Sequence, residues 1–463
     1  MPARSCRLAV SPHVRLLGAA ALAAVACAPG CGAPAPRALR AVAATPRARD
    51  LSAAEKGDAT PKPPLPLPRH VEPRRYTLDL TVDPGAPAFH GRVVIEAEVR
   101  ETTREMWLHG RDLTVESAAV VLGTTRTAAV AQRIDDDHLL LRFAEAVPPG
   151  PARVELAYRG VVDAERSQGI YRVKEPDGRW FAYTFFEPED GRRAFPCIDE
   201  PGVKVPWKVT LRTPPGHAAV GNTRVLRHGV EAAGEVFELE ETPPLPSYLV
   251  AFVVGPFDIA EAGTAGHHGT PLRFVLPPGR REELGYAAHV TPGVVGALED
   301  YFGMPYPFGK LDVAVVPRFW GTMEHPGIVA LGQPLTLIPP GSAALSRRFH
   351  YTNTAAHELA HYWFGDYVTC ASWADIWLNE SFATWLDAKI TDRVDPSFRA
   401  VERARRHMRW AKREDGLLSA KAVRQPIVTA SDVGSAFDNN ITYFKGASVV
   451  SMVESWVGEA PLR

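Results

Sequence analysis

Two histidines placed four residues apart are the residues of this sequence best suited to bind a metal ion. They are His357 and His361, inside an apolar stretch from 355 to 364 that Gly365 ends, and this pattern predicts one helix. Both side chains then project from the same helix face and can reach one ion at about 2.0–2.1 Å. Glu358 lies about 100° round the helix. That position suits a base acting on the attacking water better than a third ligand.

A further protein ligand is predicted on the next helix. Residues 372–375 resemble a capping box, and the helix that follows carries Glu380 among apolar residues. Burying an ionised glutamate there is unfavourable unless a cation compensates its charge. Two imidazoles, one carboxylate and an open position are the ligand set of a catalytic zinc site, so we expect one Zn²⁺ ion bound by both histidines and Glu380. Asp366 and Asp375 are near enough in the chain to be candidates for orienting the histidines.

The composition excludes some classes of partner. The chain has 463 residues, of which 46% are hydrophobic and 23% charged, and this globular composition predicts two or three domains. Lysine and arginine number 52, against 53 aspartates and glutamates. Because neither sign of charge dominates, we expect no nucleic-acid partner, and recognition must occur at a local site.

The N-terminal residues are typical of an exported protein. The uncharged stretch 16–26 follows Arg15, is too short to span a bilayer, and predicts a signal peptide over 1–27. Residues 24–27, Ala-Val-Ala-Cys, resemble a bacterial lipobox in which Cys27 is lipidated; an ordinary cleaved signal is the alternative. We therefore expect a lipoprotein of the cell envelope, periplasmic or in the outer membrane, or else a secreted protein. Membrane contact is expected only through the lipid anchor.

Three further segments follow the signal peptide. Residues 28–68 are rich in Ala, Pro and Arg without apolar periodicity, which predicts a disordered tether. From 69 to 265, short runs with alternating apolar and polar residues are separated by Pro and Gly, which predicts an all-β domain. From 266 to 463, helical patterns such as 286–302 and a strand pattern at 310–316 predict an α+β domain that carries the chemistry.

The cysteines do not predict a disulfide framework. There are five, irregularly spaced and without a CxxC pair: Cys6, Cys27, Cys31, Cys197 and Cys370. Buried free thiols at Cys197 and Cys370 are favoured, and a disulfide between these two in an oxidising compartment is the alternative.

The metal-binding residues lie in a pattern that resembles a known peptidase family. His-Glu-Leu-Ala-His at 357–361, followed by Glu380 within Leu-Asn-Glu-Ser-Phe-Ala, resembles the gluzincin signature of the M1 zinc aminopeptidases. The similarity runs from about 67 to 463 and includes Phe-Glu-Pro at 186–188 and the segment 193–201. It implies a saddle-like β-sandwich followed by a thermolysin-like zinc peptidase domain. It also implies hydrolysis of peptides at their free N-terminus.

The resemblance further implies which residues contact the substrate. Five consecutive residues resemble the family's GxMEN loop, whose backbone aligns the peptide: Gly321, Thr322, Met323, Glu324 and His325. In this loop Glu324 binds the α-ammonium group, and Glu187 matches a second carboxylate for the same amine. The segment 441–447 resembles the family's Tyr-x-Lys-Gly sequence, which makes Tyr443 the hydrogen-bond donor to the oxyanion. By composition alone, a tyrosine in such an apolar helix more often packs in the core.

Some positions depart from the family pattern. His325 stands where the family has Asn, Phe185 where it usually has Gln, and Trp320 lies in a loop one residue shorter and can narrow the pocket. These departures leave the preferred N-terminal residue open, and an endopeptidase on the same scaffold is one alternative. Family members continue further, so we expect a peptidase domain truncated at Arg463. An inactive envelope binding module is the other alternative.

Overall fold

The structure is a computed structural model that describes residues 63, 65–317 and 321–463. The predicted signal peptide, nearly all of the predicted tether and Trp320 lie outside the described residues. Within those residues, no helix combines the length and the apolar character needed to cross a membrane. Cys197 and Cys370 are described, and both are buried free thiols, as the sequence favoured. The boundaries between the segments stay predictions.

The described part begins with strands and continues into a mixed region of strands and helices, as predicted. In chain order, the strands are β1 (Val71–Thr81), β2 (Ala88–Val99), β3 (Thr103–His109), β4 (Thr114–Leu122), β5 (Thr125–Arg133), β6 (His138–Val147), β7 (Gly150–Val161), β8 (Gly169–Lys174), β9 (Trp180–Phe185), β10 (Trp207–Thr213), β11 (Ala218–Gly221), β12 (Val225–Glu231), β13 (Gly234–Leu239), β14 (Phe252–Gly255), β15 (Asp258–Ala265), β16 (Thr270–Leu276), β17 (Leu311–Val316), β18 (Thr322–Met323) and β19 (Ile328–Gly332). The helices are α1 (Gly285–Phe302), α2 (Gln333–Thr336), α3 (Leu345–Ala360), α4 (Trp377–Val394), α5 (Ala400–Asp415), α6 (Ala430–Ala436) and α7 (Gly446–Val457).

Two sheets form the β-rich N-terminal region. A ten-stranded sheet has the order β12-β13-β10-β1-β2-β7-β4-β5-β6-β3, and a four-stranded sheet has the order β11-β14-β9-β8. Along β1, Tyr76, Leu78 and Leu80 are fully buried while the residues between them are partly exposed, so the alternation predicted from the sequence is confirmed. Apolar residues of both sheets join one core, which is the packing of a β-sandwich.

The α+β region that follows is built on a third sheet with the order β15-β16-β17-β19-β18. Helices α1, α3 and α4 pack against each other over a second apolar core that includes residues of this sheet. α1 agrees with the helix predicted over 286–302, and β17 with the strand predicted over 310–316. The helix of the two histidines begins at Leu345, before the apolar stretch, and ends at Ala360, so the predicted helix end at Gly365 lies several residues too late.

The two regions share a buried interface. The ring of Tyr248, from the β-rich region, packs against Trp373 of the α+β region with centroids 5.1 Å apart. Buried Lys310 donates hydrogen bonds from Nζ to the carbonyl of Gly221 at 2.7 Å and to that of Gly327 at 2.8 Å. Because core residues and a buried cation cross this interface, the β-rich region can bring side chains to the metal-binding residues in a fixed position.

Candidate metal centre and active site

Three side chains from two helices converge on one point. His357 lies in the last turn of α3, His361 at its C-terminal end, and Glu380 in the first turn of α4. The Nε2 atoms of the histidines are 3.2 Å apart. Glu380 Oε2 lies 3.4 Å from Nε2 of His357 and 3.5 Å from Nε2 of His361. Although α3 ends at Ala360, His361 keeps helical dihedrals of φ −57° and ψ −26°, so both rings stay on one face.

This triangle of atoms has the size of one face of a tetrahedral metal site. Ligands bound at about 2.0–2.1 Å in tetrahedral geometry lie about 3.3–3.4 Å apart, which matches the three observed distances. Glu380 Oε2 is buried and makes no hydrogen bond with the described residues. Two ring nitrogens that face each other repel unless a proton or a cation lies between them. Among the described residues, these three form the group able to hold a metal ion, and their donor set fits zinc.

The charges of the three side chains favour a cation between them. Burial lowers the pKa of both histidines, but neighbouring carboxylates, Glu380 among them, outweigh burial and raise each pKa above its ordinary value. Burial raises the pKa of Glu380, but His361 and His357 outweigh it and hold that pKa below its ordinary value. Positive charge is therefore stabilised at this point, which is the electrostatic condition for binding a divalent ion.

The histidines are oriented by partners that the sequence did not identify. Asp387 Oδ2 lies 3.5 Å from Nδ1 of His357, and Nδ1 of His361 lies 3.1 Å from the carbonyl oxygen of Phe364. The predicted candidates are wrong: Asp375 pairs with Arg424, and the carboxylate oxygens of Asp366 make no hydrogen bond with described residues. Asp387 follows Glu380 by two helical turns on the same face of α4, and this spacing was the signal available in the sequence.

Glu358 is buried beside the two histidines. Burial raises its pKa, the charges of His357 and His361 and the nearby Thr322 hydroxyl lower it, and the balance leaves the pKa above its ordinary value. A carboxylate of raised pKa accepts a proton more readily than an exposed one and can return it later. The position and the electrostatics both suit a general base.

Tyr443 reaches the site from a π-helix, Asn439–Lys445, that leads directly into α7. Its ring stacks at 6.1 Å from that of His357. Burial and then the charge of Glu380 raise its pKa well above the ordinary value, so the phenol stays protonated and can donate a hydrogen bond. Gly446 allows this approach, because a Cβ atom there would lie 1.8 Å from Ser381 Oγ. The wide turn thus places Tyr443 beside Glu380, a known use of π-helices at functional sites.

Two further buried glutamates lie beside this group, and each has one carboxylate oxygen without a hydrogen bond to the described residues. The two atoms are Oε1 of Glu324, which lies 3.9 Å from His361 Nδ1, and Oε1 of Glu187. Burial and then the charge of Glu324 raise the pKa of Glu187 well above its ordinary value. Burial also raises the pKa of Glu324. Two adjacent carboxylates without a cation form a site that attracts positive charge.

A buried ionic network fixes the loop that carries Glu187. Arg192 donates from Nε and from its backbone N–H to Asp199 Oδ2 at 3.0 and 3.1 Å, and both side chains are about 2% exposed. Ser247 donates to the other oxygen of Asp199 at 2.5 Å. Gly191 lies so close that a Cβ atom there would be 2.8 Å from Asp199 Oδ1. This network, which sequence reasoning missed, holds the segment between β9 and β10.

The predicted substrate loop forms the edge of the third sheet. Thr322 and Met323 make up β18, which pairs with β19 and has no further neighbour among the described strands. An edge strand offers free backbone groups to an extended peptide. The ring of His325 is buried with Nε2 unpaired, and burial lowers its pKa to about 3, so it is neutral. Its carbonyl accepts a hydrogen bond from Tyr362 at 3.2 Å.

The structure therefore brings together nearly all the residues predicted for the site. The base Glu358, the donor Tyr443, Glu187 and Glu324 surround the metal-binding group, and each of them interacts electrostatically with at least one of its three side chains. Thr322 lies beside Glu358. Gly321 and Met323 lie on the same edge segment, with Met323 buried in the core.

Comparisons with known proteins agree with this geometry. Residues 72–249 match the family model described as "Peptidase M1 N-terminal domain", and residues 286–463 match that of "Peptidase family M1 domain". "Aminopeptidase M1" of Arabidopsis thaliana is 34% identical over 402 residues, which are 85% of this chain and 45% of that protein. "Aminopeptidase 2, mitochondrial" of Saccharomyces cerevisiae is 30% identical over 406 residues, 85% of this chain and 42% of that protein.

A human relative is also much longer than the segment that matches this chain. "Endoplasmic reticulum aminopeptidase 1" of Homo sapiens is 29% identical over 416 residues, which are 87% of this chain and 44% of that protein. The chain thus spans less than half the length of these relatives. Together the two family models cover well over half of this chain, and their order agrees with the order of the β-rich and α+β regions. The chain belongs to peptidase family M1.

Proposed function

We propose that this chain is a zinc-dependent aminopeptidase that hydrolyses the first peptide bond of peptides with a free N-terminus. The observation that carries the proposal is the pair of buried carboxylates, Glu187 and Glu324, each with an unpaired oxygen, beside the His-His-Glu group. The α-ammonium of a peptide supplies three N–H donors and a positive charge. An α-ammonium group therefore supplies the positive charge and the hydrogen-bond donors that these two carboxylates lack. An acetylated N-terminus carries no charge and does not.

The residues around the metal-binding group suit hydrolysis of the bond next to that amine. When bound to His357, His361 and Glu380, zinc supplies Lewis acidity that polarises a carbonyl group and activates water. Glu358 takes the proton from the attacking water and passes it to the leaving amine. Tyr443 donates a hydrogen bond to the oxygen on which negative charge develops, a contribution of a few kcal/mol for a well-placed donor.

The free amine is the feature to test. We expect aminoacyl amides and short peptides with a free N-terminus to be hydrolysed, their N-acetylated versions to resist, and a chelator to abolish the activity. Equal cleavage of blocked and free substrates would instead indicate an endopeptidase. No cleavage by a chain loaded with one equivalent of zinc would indicate a binding module.

We also propose that the protein is exported and anchored through a lipid on Cys27, which rests on residues 24–27 of the sequence. The expected result is that the protein made in a bacterial host fractionates with membranes, takes up labelled fatty acid, and loses both properties in Cys27→Ser. A Cys27→Ser variant that still carries the label would contradict the anchor.

A further inference from the structure

A cavity of about 580 Å³ opens beside α3, the helix that carries the catalytic base. The residues that line it are Thr322, Pro334, Leu335, Arg347, His350 and Thr354. Thr354 lies on α3 one turn before Glu358, and the Thr322 hydroxyl is near the Glu358 carboxylate. One end of the cavity therefore lies near the catalytic base, and its lining residues on α3 continue toward the start of that helix.

The two ends of this path differ in charge. The catalytic end carries carboxylates only partly balanced by the histidines, whereas the far end carries Arg347, which makes no ion pair with any described residue. Arg347 donates from Nη2 to the carbonyls of Pro334 and Leu337, both at 3.1 Å, which fixes the guanidinium against α2. Its Nε and Nη1 make no hydrogen bond within the described part of the chain, so three N–H groups remain for a ligand.

The length of the path can be compared with that of a peptide. Residues on one α-helix rise by about 1.5 Å each, so His350 lies about 12 Å, and Arg347 about 16 Å, before Glu358 along α3. An extended peptide advances by about 3.3 Å per residue. Side chains or a chain end about four to five residues after the cleaved bond therefore reach His350 and Arg347.

We propose that this cavity binds the part of the substrate that follows the cleaved bond, and that Arg347, with His350, binds a carboxylate there. A guanidinium pairs with a carboxylate through two parallel N–H···O bonds, and His350 adds one donor. The carboxylate is either the C-terminus of a peptide of about five or six residues or an acidic side chain at the same place. The inference rests on the proposed function, because it takes the direction of the peptide from the amine-binding carboxylates.

The experiment separates the two ends of the peptide. Hexapeptides are prepared with a free or acetylated N-terminus and with a free or amidated C-terminus, and amidated versions carry Glu or Gln as the fifth or sixth residue. Binding to the zinc-loaded Glu358→Gln protein is measured by calorimetry, and kcat/KM is measured for the active protein. The N-terminal comparison tests the proposed function, and the C-terminal comparison tests the carboxylate site.

We expect the free-acid peptide to bind about three- to tenfold more tightly than its amide, as for a partly exposed ion pair. In Arg347→Gln, which keeps a side-chain donor but not the charge, the ratio should fall below about twofold, and in Arg347→Lys part of it should return. Arg159→Ala is the matched control, because Arg159 is exposed on β7 and makes no ion pair with a described residue. This control should keep the full ratio.

Two results would overturn the carboxylate site. One is equal binding of acid and amide together with equal binding of the Glu and Gln peptides. The other is a preference that Arg347→Gln leaves unchanged. A preference for Glu over Gln alone supports the site with the side chain as the source of the carboxylate. Equal binding of free and acetylated N-termini would overturn the proposed function, and the C-terminal ratio would still report on Arg347.

Discussion

Replacing Gly446 with alanine should displace the π-helix that carries Tyr443. The added Cβ atom would lie 1.8 Å from Ser381 Oγ and 2.9 Å from Ser381 Cβ. Ser381 Oγ donates a hydrogen bond to the Thr442 carbonyl at 2.6 Å, so it cannot rotate away without losing that bond. Non-bonded heavy atoms in contact are about 3.5 Å apart, so the segment must move by roughly 1.5 Å.

The size of the effect follows from this shift. Overpacking of a buried site destabilises by about 1–3 kcal/mol, and loss of the Ser381 hydrogen bond adds about 1 kcal/mol. We therefore expect Gly446→Ala to destabilise the protein by about 2–4 kcal/mol, and to lower its melting temperature by about 2–5 °C. A shift of more than 1 Å at the donor Tyr443 should lower kcat/KM by about 100-fold.

Thermal unfolding and kcat/KM on a free-amine substrate measure the two effects. Ser381→Ala is the partner variant, because it removes the Oγ atom and leaves only the contact at 2.9 Å. The double variant should be less destabilised than the sum of the single variants and should regain part of the activity. A Gly446→Ala protein that melts and turns over like the wild type would refute the reasoning.

Three further predictions concern other parts of the site. Asp387→Asn should weaken zinc binding about tenfold in a chelator competition, since it removes the charged partner of His357; unchanged affinity would contradict that role, and exposed Asp300→Asn is the control. Glu358→Gln should keep zinc but lower kcat by about 10²–10⁴-fold, and near-normal turnover would exclude Glu358 as the base. Arg192→Met should destabilise the β-rich region by about 3–5 kcal/mol, measured by urea unfolding, because it removes the cation that balances the buried charge of Asp199; a loss below about 1 kcal/mol would contradict the network.

The metal ligands could be predicted from the sequence because their geometry is mostly local. His357 and His361 share a helix face through their spacing alone, and an apolar setting left Glu380 without another partner. The strands of the β-rich region could also be predicted, because apolar and polar residues alternate along a half-buried strand, as they do in β1.

The remaining features depend on contacts between distant segments. The π-helix of Tyr443 is accompanied by the close packing of Gly446 on Ser381, a contact between distant segments that no local periodicity encodes. The pairing of Arg192 with Asp199 joins charged residues that composition alone assigns to the surface. A short 3₁₀ turn, Trp373–Asp375, comes between the predicted cap at Ser372 and α4, because Ser372 caps that turn and α4 starts later.

Zinc content measured together with a ligand variant tests the central claim most directly. Protein purified without chelator and analysed by mass spectrometry for metals should contain about one zinc per chain, as expected for a single His-His-Glu site. Glu380→Ala should lose that zinc while keeping the circular dichroism of the folded protein. A wild-type chain that binds no zinc, or a Glu380→Ala chain that retains one equivalent, would contradict the account.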